Sequence, residues 1–381
     1  MLSYWERASF FTGIDVCIIG AGIVGLHTAL FLKEKYPNYS IAVFERGTLP
    51  FGASTRNAGF ACFGSPSELL ADLTKFPATD VFSLVEKRWN GLQDLIKTHG
   101  EFNLGLERFG GYEVFAPDDN ASYSNCQNQL GFLNHELKSI TGTANVFTNR
   151  TEQIQALGLG KVAHLIYNEL EAQIDTGKLM KHLLQQVQAA GVQLYFGLEI
   201  TALHATNQGT VQLYSNGFNF EVKQVAITTN GFIQQLLPEL EIKPARAQVL
   251  ITQPIPQLKL KGTFHYDEGY YYFRNVDDRV LFGGGRNLAF EAETTTDMQV
   301  TNPIQNKLDE LLATMILPGV NYEVDMRWSG IMGMGDEKLP IIKETSIPSV
   351  YVAARCNGMG VAMGIQIGRD LADLISKTTT N

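Results

Sequence analysis

Gly20-Ala21-Gly22-Ile23-Val24-Gly25 stands between two apolar segments of different period, and that placement constrains the fold more than any other feature of the chain. Residues 14 to 19 (IDVCII) are an unbroken β-branched run, as in a strand buried on both faces. Residues 23 to 35 (IVGLHTALFLKEK) read as a helix, stopped by Pro37 and Asn38. Residues 40 to 45 (SIAVFE) form a second buried strand, which completes a βαβ unit. In such a unit Gly20 permits the tight turn, Gly22 lets a pyrophosphate approach the backbone, and Gly25 lets helix and strand pack closely. The first helical turn, at Ile23 and Val24, supplies N–H groups and a partial positive charge to the phosphates. Glu45, followed by Arg46, closes the second strand twenty residues past Gly25, where an acid accepts hydrogen bonds from ribose hydroxyls. The unit predicts dinucleotide binding, and by itself it serves NAD and FAD alike.

Two later loops point to the longer cofactor. Phe51-Gly52-Ala53-Ser54-Thr55-Arg56-Asn57-Ala58-Gly59 follows Glu45 closely, and Asn57, Ala58 and Gly59 end it. Asn357-Gly358-Met359-Gly360 precedes the last helix, with Val361 and Ala362 in that helix's first turn. Small residues at both places suit close backbone approach, and the last helix can aim its N-terminal dipole at a flavin ring. Between these ends the chain reads as helices over residues 67 to 76 and 82 to 100, a short strand-like stretch over 110 to 119, a helix over 175 to 189, and alternating strands over 245 to 290. Strand, glycine loop and helix at both ends of a β-rich middle imply one nucleotide domain assembled from separated pieces.

Composition excludes several alternatives. The 381 residues carry a net charge of −9 without a basic block, which argues against nucleic acid as a partner. Cys17, Cys62, Cys126 and Cys356 are scattered, with no spacing of metal ligands, so no metal is expected and the thiols read as small buried residues of a reducing, cytoplasmic compartment. The first apolar run is far shorter than the roughly 20 residues a membrane span needs, and it lacks the basic region and cleavage site of a signal peptide.

The chain resembles the D-amino-acid-oxidase-type superfamily of FAD-dependent oxidoreductases, which includes glycine oxidase, sarcosine oxidase and γ-glutamylputrescine-oxidase-like proteins. The resemblance is carried by GAGIVG with Glu45, GASTRNAGF, AITTNGF, YYYFRNVDDRVLFGGGRN and SVYVAARCNGMGVAMG, and it covers nearly the whole chain. It implies an α/β (α+β) fold. A Rossmann-like FAD-binding domain would be built from residues 1–75, 150–235 and 325–381, and an antiparallel-sheet substrate domain from 76–149 and 236–324. It implies that Ala53 and Ser54 meet the pyrophosphate, that Asn57, Ala58 and Gly59 line the flavin, that Ile200 grips adenine, and that Gly358, Met359, Gly360, Val361 and Ala362 cradle the isoalloxazine. The activity implied is oxidation of a small amine or amino acid at its C–N bond by hydride transfer to flavin. Electrons would pass to oxygen or, in the alternative reading, to a quinone or carrier.

Three positions depart from the pattern. Gly330 stands where the sarcosine oxidase branch tethers its flavin through cysteine, so non-covalent FAD is expected. Leu281 replaces that branch's oxygen-activating lysine. Met332 replaces the arginine with which glycine oxidase clamps a substrate carboxylate. On the substrate side, Tyr272 and Arg274 are the candidate orienting residues, because alternate residues of a strand share a face. Arg327, Arg355 and Lys338 read as structural, as do His27 and His265.

Overall fold

The computed structural model describes residues 2–379. Its first sheet has eight strands, and its central path runs Ile341–Glu344, Val350–Ala354, Phe218–Ile227, Ile14–Ile19, Ile41–Glu45, Gln193–Phe196. All neighbours on this path are parallel except Ile341–Glu344, which runs antiparallel to Val350–Ala354. The antiparallel strands Val211–Ser215 and Ile200–Ala205 extend from Phe218–Ile227.

The unbroken apolar runs have a direct cause. In Ile14–Ile19, Val16 and Ile18 join a core shared with the helices Ile23–Lys35 and Gly360–Thr379, whereas Cys17 and Ile19 join a second core on the opposite face. Ile41 and Val43 divide from Ala42 and Phe44 in the same way. Both faces are covered, so the strands are apolar along their length, and their polar residues, Asp15 and Glu45, stand near the ends.

The second sheet also has eight strands, in the order Val324–Met334, Lys243–Thr252, Arg279–Gly284, Tyr271–Val276, Thr263–Tyr266, Gly111–Phe115, His164–Asn168, Phe147–Asn149. It is antiparallel save for one parallel pair, Thr263–Tyr266 with Gly111–Phe115. His164–Asn168 and Val324–Met334 fall in segments expected to build the FAD domain, yet they pair into this sheet. Local sequence pattern does not say which of two sheets a strand joins. Across the sheet one row of paired residues, Tyr112, Phe264, Phe273, Phe282 and Leu250, lies in the core against the helix Asn302–Leu311. Strand alternation turns the next row, Glu113, His265, Tyr272, Gly283 and Val249, to the opposite face.

His27 sits inside the first helix and its ring is buried against His99. His27 Nδ1 lies 2.7 Å from Ile23 O and must donate to it, so Nε2 can only accept from His99 Nε2, 2.9 Å away. Burial, then the like charge of His99, pulls His27 down to about 3, and burial followed by His182 pulls His99 down to about 4. Both imidazoles are held neutral, so the stability they contribute is complete above pH 6.5 and is lost as pH falls towards 4 and below. Thermal melts at pH 7.5 and 4.5 should therefore show a smaller acid-induced drop for His27→Gln/His99→Gln than for the parent protein. Equal drops would remove the pair as a source of acid sensitivity.

Candidate functional site

The Gly20–Gly25 turn is closed by contacts that leave no room for side chains. Gly20 adopts φ +107°, and a Cβ added to Gly25 would lie 2.1 Å from Gly20 O and 2.7 Å from Thr228 Oγ1. Thr228 Oγ1 reaches Ile19 O at 2.9 Å and Gly20 O at 3.1 Å, so the neighbouring strand's end holds the turn from outside. Glu45 holds it from the other side. Its Oε2 accepts from Ala21 N at 3.1 Å, and its Oε1 accepts from Gly47 N at 3.0 Å and Phe51 N at 3.4 Å. Gly22, at the head of the helix, supplies no side-chain cap, and Ser54 Oγ accepts from Ile23 N at 3.0 Å.

From this turn a cavity of about 490 Å³ runs between the two sheets. Gly20, Gly22, Ile23, Val24, Glu45, Arg46 and Ile200 line one end. Ala53, Ser54, Asn57, Ala58 and Gly59 line its flank, and Gly358, Met359, Gly360, Val361 and Ala362 also face it. Gly25 lies behind the turn, outside the lining. The flank loop is self-bonded: Asn57 Nδ2 donates to Ser54 O at 2.9 Å, and Asn57 Oδ1 accepts from Gly59 N at 2.8 Å. Arg46 stacks on Phe232, its guanidinium carbon 3.9 Å from the ring centre.

The far end is walled by the second sheet. Tyr272 and His265, direct cross-strand partners, both line the cavity, and Phe60 meets each ring edge-on at 5.8 Å and 5.2 Å. Burial pushes the Tyr272 phenol up to about 12, and its hydroxyl makes no hydrogen bond among the described residues. His265 Nε2 lies 3.0 Å and 3.1 Å from the two Glu171 oxygens, and Thr263 Oγ1 donates to Glu171 at 2.7 Å. Burial alone would lower His265, but Glu171 outweighs it and brings the imidazole up to about 9, so the ring is an imidazolium at neutral pH. Glu113 lies next in the row, bonded by Ser65 and Ser67, and burial raises it to about 7 in spite of those donors.

A family model described as FAD dependent oxidoreductase matches residues 15–374.

The chain belongs to the FAD dependent oxidoreductase family. Among curated relatives, glycine oxidase of Geobacillus kaustophilus is 24% identical over 96% of this chain and 94% of its own. Gamma-glutamylputrescine oxidoreductase of Escherichia coli is 24% identical over 95% of this chain and 83% of its own. The fold is shared with the crystal structure of the same glycine oxidase, with a TM-score of 0.74 and 19% identity over 95% and 94% of the two chains. L-proline dehydrogenase from P. horikoshii also has a TM-score of 0.74, with 18% identity over 96% and 94%.

This oxidoreductase therefore binds FAD, and the cavity fits it. The N-cap Gly22 carries no side chain, the turn is kept clear of Cβ atoms, and an acid lies at the end of the second strand. Of the substrate-side candidates the structure brings Tyr272 to the cavity and leaves Arg274 outside its lining. Arg274 shares the strand face of Tyr272, but two residues further along it is covered by the flank loop. Its Nη2 donates to Ile174 O at 3.0 Å, and burial lowers it to about 10. The reasoning from alternation identifies the face and not the reach.

His265, read as structural from the sequence, lies on the cavity wall, held by Glu171 from a distant segment that no local spacing reveals. Lys338 also lines the cavity, paired with Asp72 at 3.2 Å. Cys62 Sγ, a Glu171 oxygen and a His265 nitrogen lie within 4.8 Å of one another, a grouping that the scattered cysteines did not foretell. Both Glu171 oxygens are engaged by His265, and one of them also by Thr263, so the three form part of a polar network.

Glu45→Ala removes the anion that bridges three backbone amides and faces the cavity. Hydrogen bonds to a charged group contribute about 1.5–3 kcal/mol, so FAD affinity in a fluorescence titration should fall roughly ten- to a hundredfold. Unchanged affinity would show that Glu45 serves the turn alone.

Proposed function

We propose that this oxidoreductase oxidises a small amine or amino acid at the C–N bond, with FAD held non-covalently. Bound FAD supplies the two-electron acceptor. The substrate would give up a hydride from carbon to that acceptor as its nitrogen lone pair closes a C=N bond, and water would split the resulting iminium ion into a carbonyl compound and an ammonium or ammonium-bearing fragment that keeps the proton. The observation that carries this reading is the far wall of the cavity. It presents the unpaired Tyr272 hydroxyl and the His265 ring beside the aromatic faces of Phe60 and Tyr272, which suits a small polar molecule held against a ring system. Relatives named for glycine and gamma-glutamylputrescine support the substrate class.

The protein's part is to orient, since a C–N oxidation of a neutral amine needs no protein base. Holding reactants in register can supply about 7–11 kcal/mol. Gly330 lies on the cavity wall and offers no side chain for a tether. The four cysteines are free thiols, which supports a reducing, cytoplasmic setting. No described helix is long and apolar enough to cross a membrane.

A second reading, in which electrons pass to a quinone or carrier instead of oxygen, draws on Leu281. It is buried with Ala58, Val249 and Ile251, so the position itself offers no cation to favour superoxide formation.

The purified protein should be yellow, and acid precipitation should release its flavin into the supernatant. Flavin retained in the pellet would overturn the non-covalent assignment. Anaerobic addition of amines and amino acids should bleach the flavin for at least one of them, and peroxide formation on admitting air separates oxidase from dehydrogenase. Tyr272→Phe deletes one uncharged hydrogen bond, worth about 0.5–1.5 kcal/mol, and should slow bleaching about two- to tenfold. A parent protein that no amine or amino acid bleaches would refute the C–N assignment.

A further inference from the structure

One cation on the cavity wall has been left without a counter-charge by the fold. Arg286 follows the glycine run that ends strand Arg279–Gly284, and it opens a short 3-10 turn, Arg286–Leu288. Its side chain lines the cavity and lies over the Phe290 ring, 4.7 Å from the centre. Among the described residues it forms no ion pair and donates no hydrogen bond. The other cations of that wall are engaged. Lys338 pairs with Asp72 at 3.2 Å, Arg56 donates to Ser329 O at 3.0 Å, and His265 is held by Glu171 at 3.0 Å. Arg46 belongs to the opposite, Glu45 end and is stacked between Phe51 and Phe232.

A guanidinium carries five donors, and withdrawing them from water without partners is unfavourable. Arg286 is half-buried, and burial lowers its pKa, with only Tyr270 and Glu293 acting against that. Glu293 is already taken. Its oxygens accept from Arg246 at 2.8 Å and 2.9 Å and from Gln248 at 3.0 Å. The pairing of Tyr272 with Gly283, and the bond from Gly285 N to Tyr270 O at 3.0 Å, place Arg286 just beyond the Tyr272 row. The side chain of Met332, which also faces the cavity, has no donor to offer an anion.

We propose that Arg286 receives a carboxylate of the substrate, so that the molecule oxidised is an amine bearing an acid group, held at the strand end beyond Tyr272. This rests on the C–N oxidation reading above and narrows it. The planar fork of guanidinium N–H groups matches a carboxylate in shape and charge, and with Arg286 stacked on Phe290 its N–H edge makes no hydrogen bond among the described residues.

The test uses the FAD-loaded protein. Acetate and benzoate are titrated against the visible spectrum of the bound flavin, in the parent and in Arg286→Met and Arg286→Lys. Carboxylates should perturb the parent spectrum, bind roughly ten- to a hundredfold more weakly to Arg286→Met, and recover part of the loss in Arg286→Lys. Unaltered FAD content and thermal midpoint in both variants separate this from loss of structure. Equal carboxylate affinity in parent and Arg286→Met, or no binding to the parent, overturns the proposal. Anaerobic reduction is then compared for pairs that differ by the acid group, such as alanine with ethylamine and 4-aminobutyrate with butylamine. Preference for the acid-bearing member should disappear in Arg286→Met. Arg286-dependent carboxylate binding in a protein that no amine reduces would support the anion site and sink the C–N reading instead.

Discussion

The architecture depends on how closely a helix can start beside the strand that precedes it. With Gly25 against Gly20 O, and Thr228 bonded to the same turn, three chain segments meet where no side chain can intervene. Glu45 then ties the turn to the end of the second strand through Ala21 N. The same carboxylate thus completes the backbone and lines the cavity. Its two oxygens have lone-pair sites beyond the amides they accept from, which a hydroxyl would lack. Once that corner is set, the last helix, Gly360–Thr379, packs on the first, and both helix ends open on one cavity.

Register in the second sheet does the corresponding work at the other end. The row Tyr112–Phe264–Phe273–Phe282–Leu250 is aromatic or aliphatic throughout, and it fixes which face is core. Slipping Thr263–Tyr266 or Tyr271–Val276 by one residue would bury His265 or Tyr272 in that core and expose Phe264 or Phe273. The residues that face the cavity are therefore held by the packing of those that do not, which places a polar site on a rigid base.

What was legible in the sequence follows the range of the interactions. The βαβ unit, Glu45 and both glycine loops are local patterns, and the cavity takes its lining from those segments. Arg274 was legible as to face and not as to cover, because the loop that closes over it, Asn57–Gly59 with Ile174, comes from far away in the chain. His265 and Arg286 carry no local signal at all. The charge of one depends on Glu171, 94 residues distant, and the other is distinguished by the partners it lacks. Membership of His164–Asn168 and Val324–Met334 in the second sheet is equally non-local.

The charges around the far wall explain why an additional anion can be accommodated beside Arg286 and not beside His265. His265 is already neutralised by Glu171, with Glu113 and Glu68 close enough to raise it further. A carboxylate placed there would meet three acids and one imidazolium. Arg286 has Tyr270 and Phe290 about it, and Glu293, the acid that acts on it, already accepts from Arg246 and Gln248. On the proposed reading, a substrate bearing an acid group and a neutral amine would lie with its acid towards Arg286 and its nitrogen towards the His265 side of Tyr272, where the acids disfavour a second carboxylate.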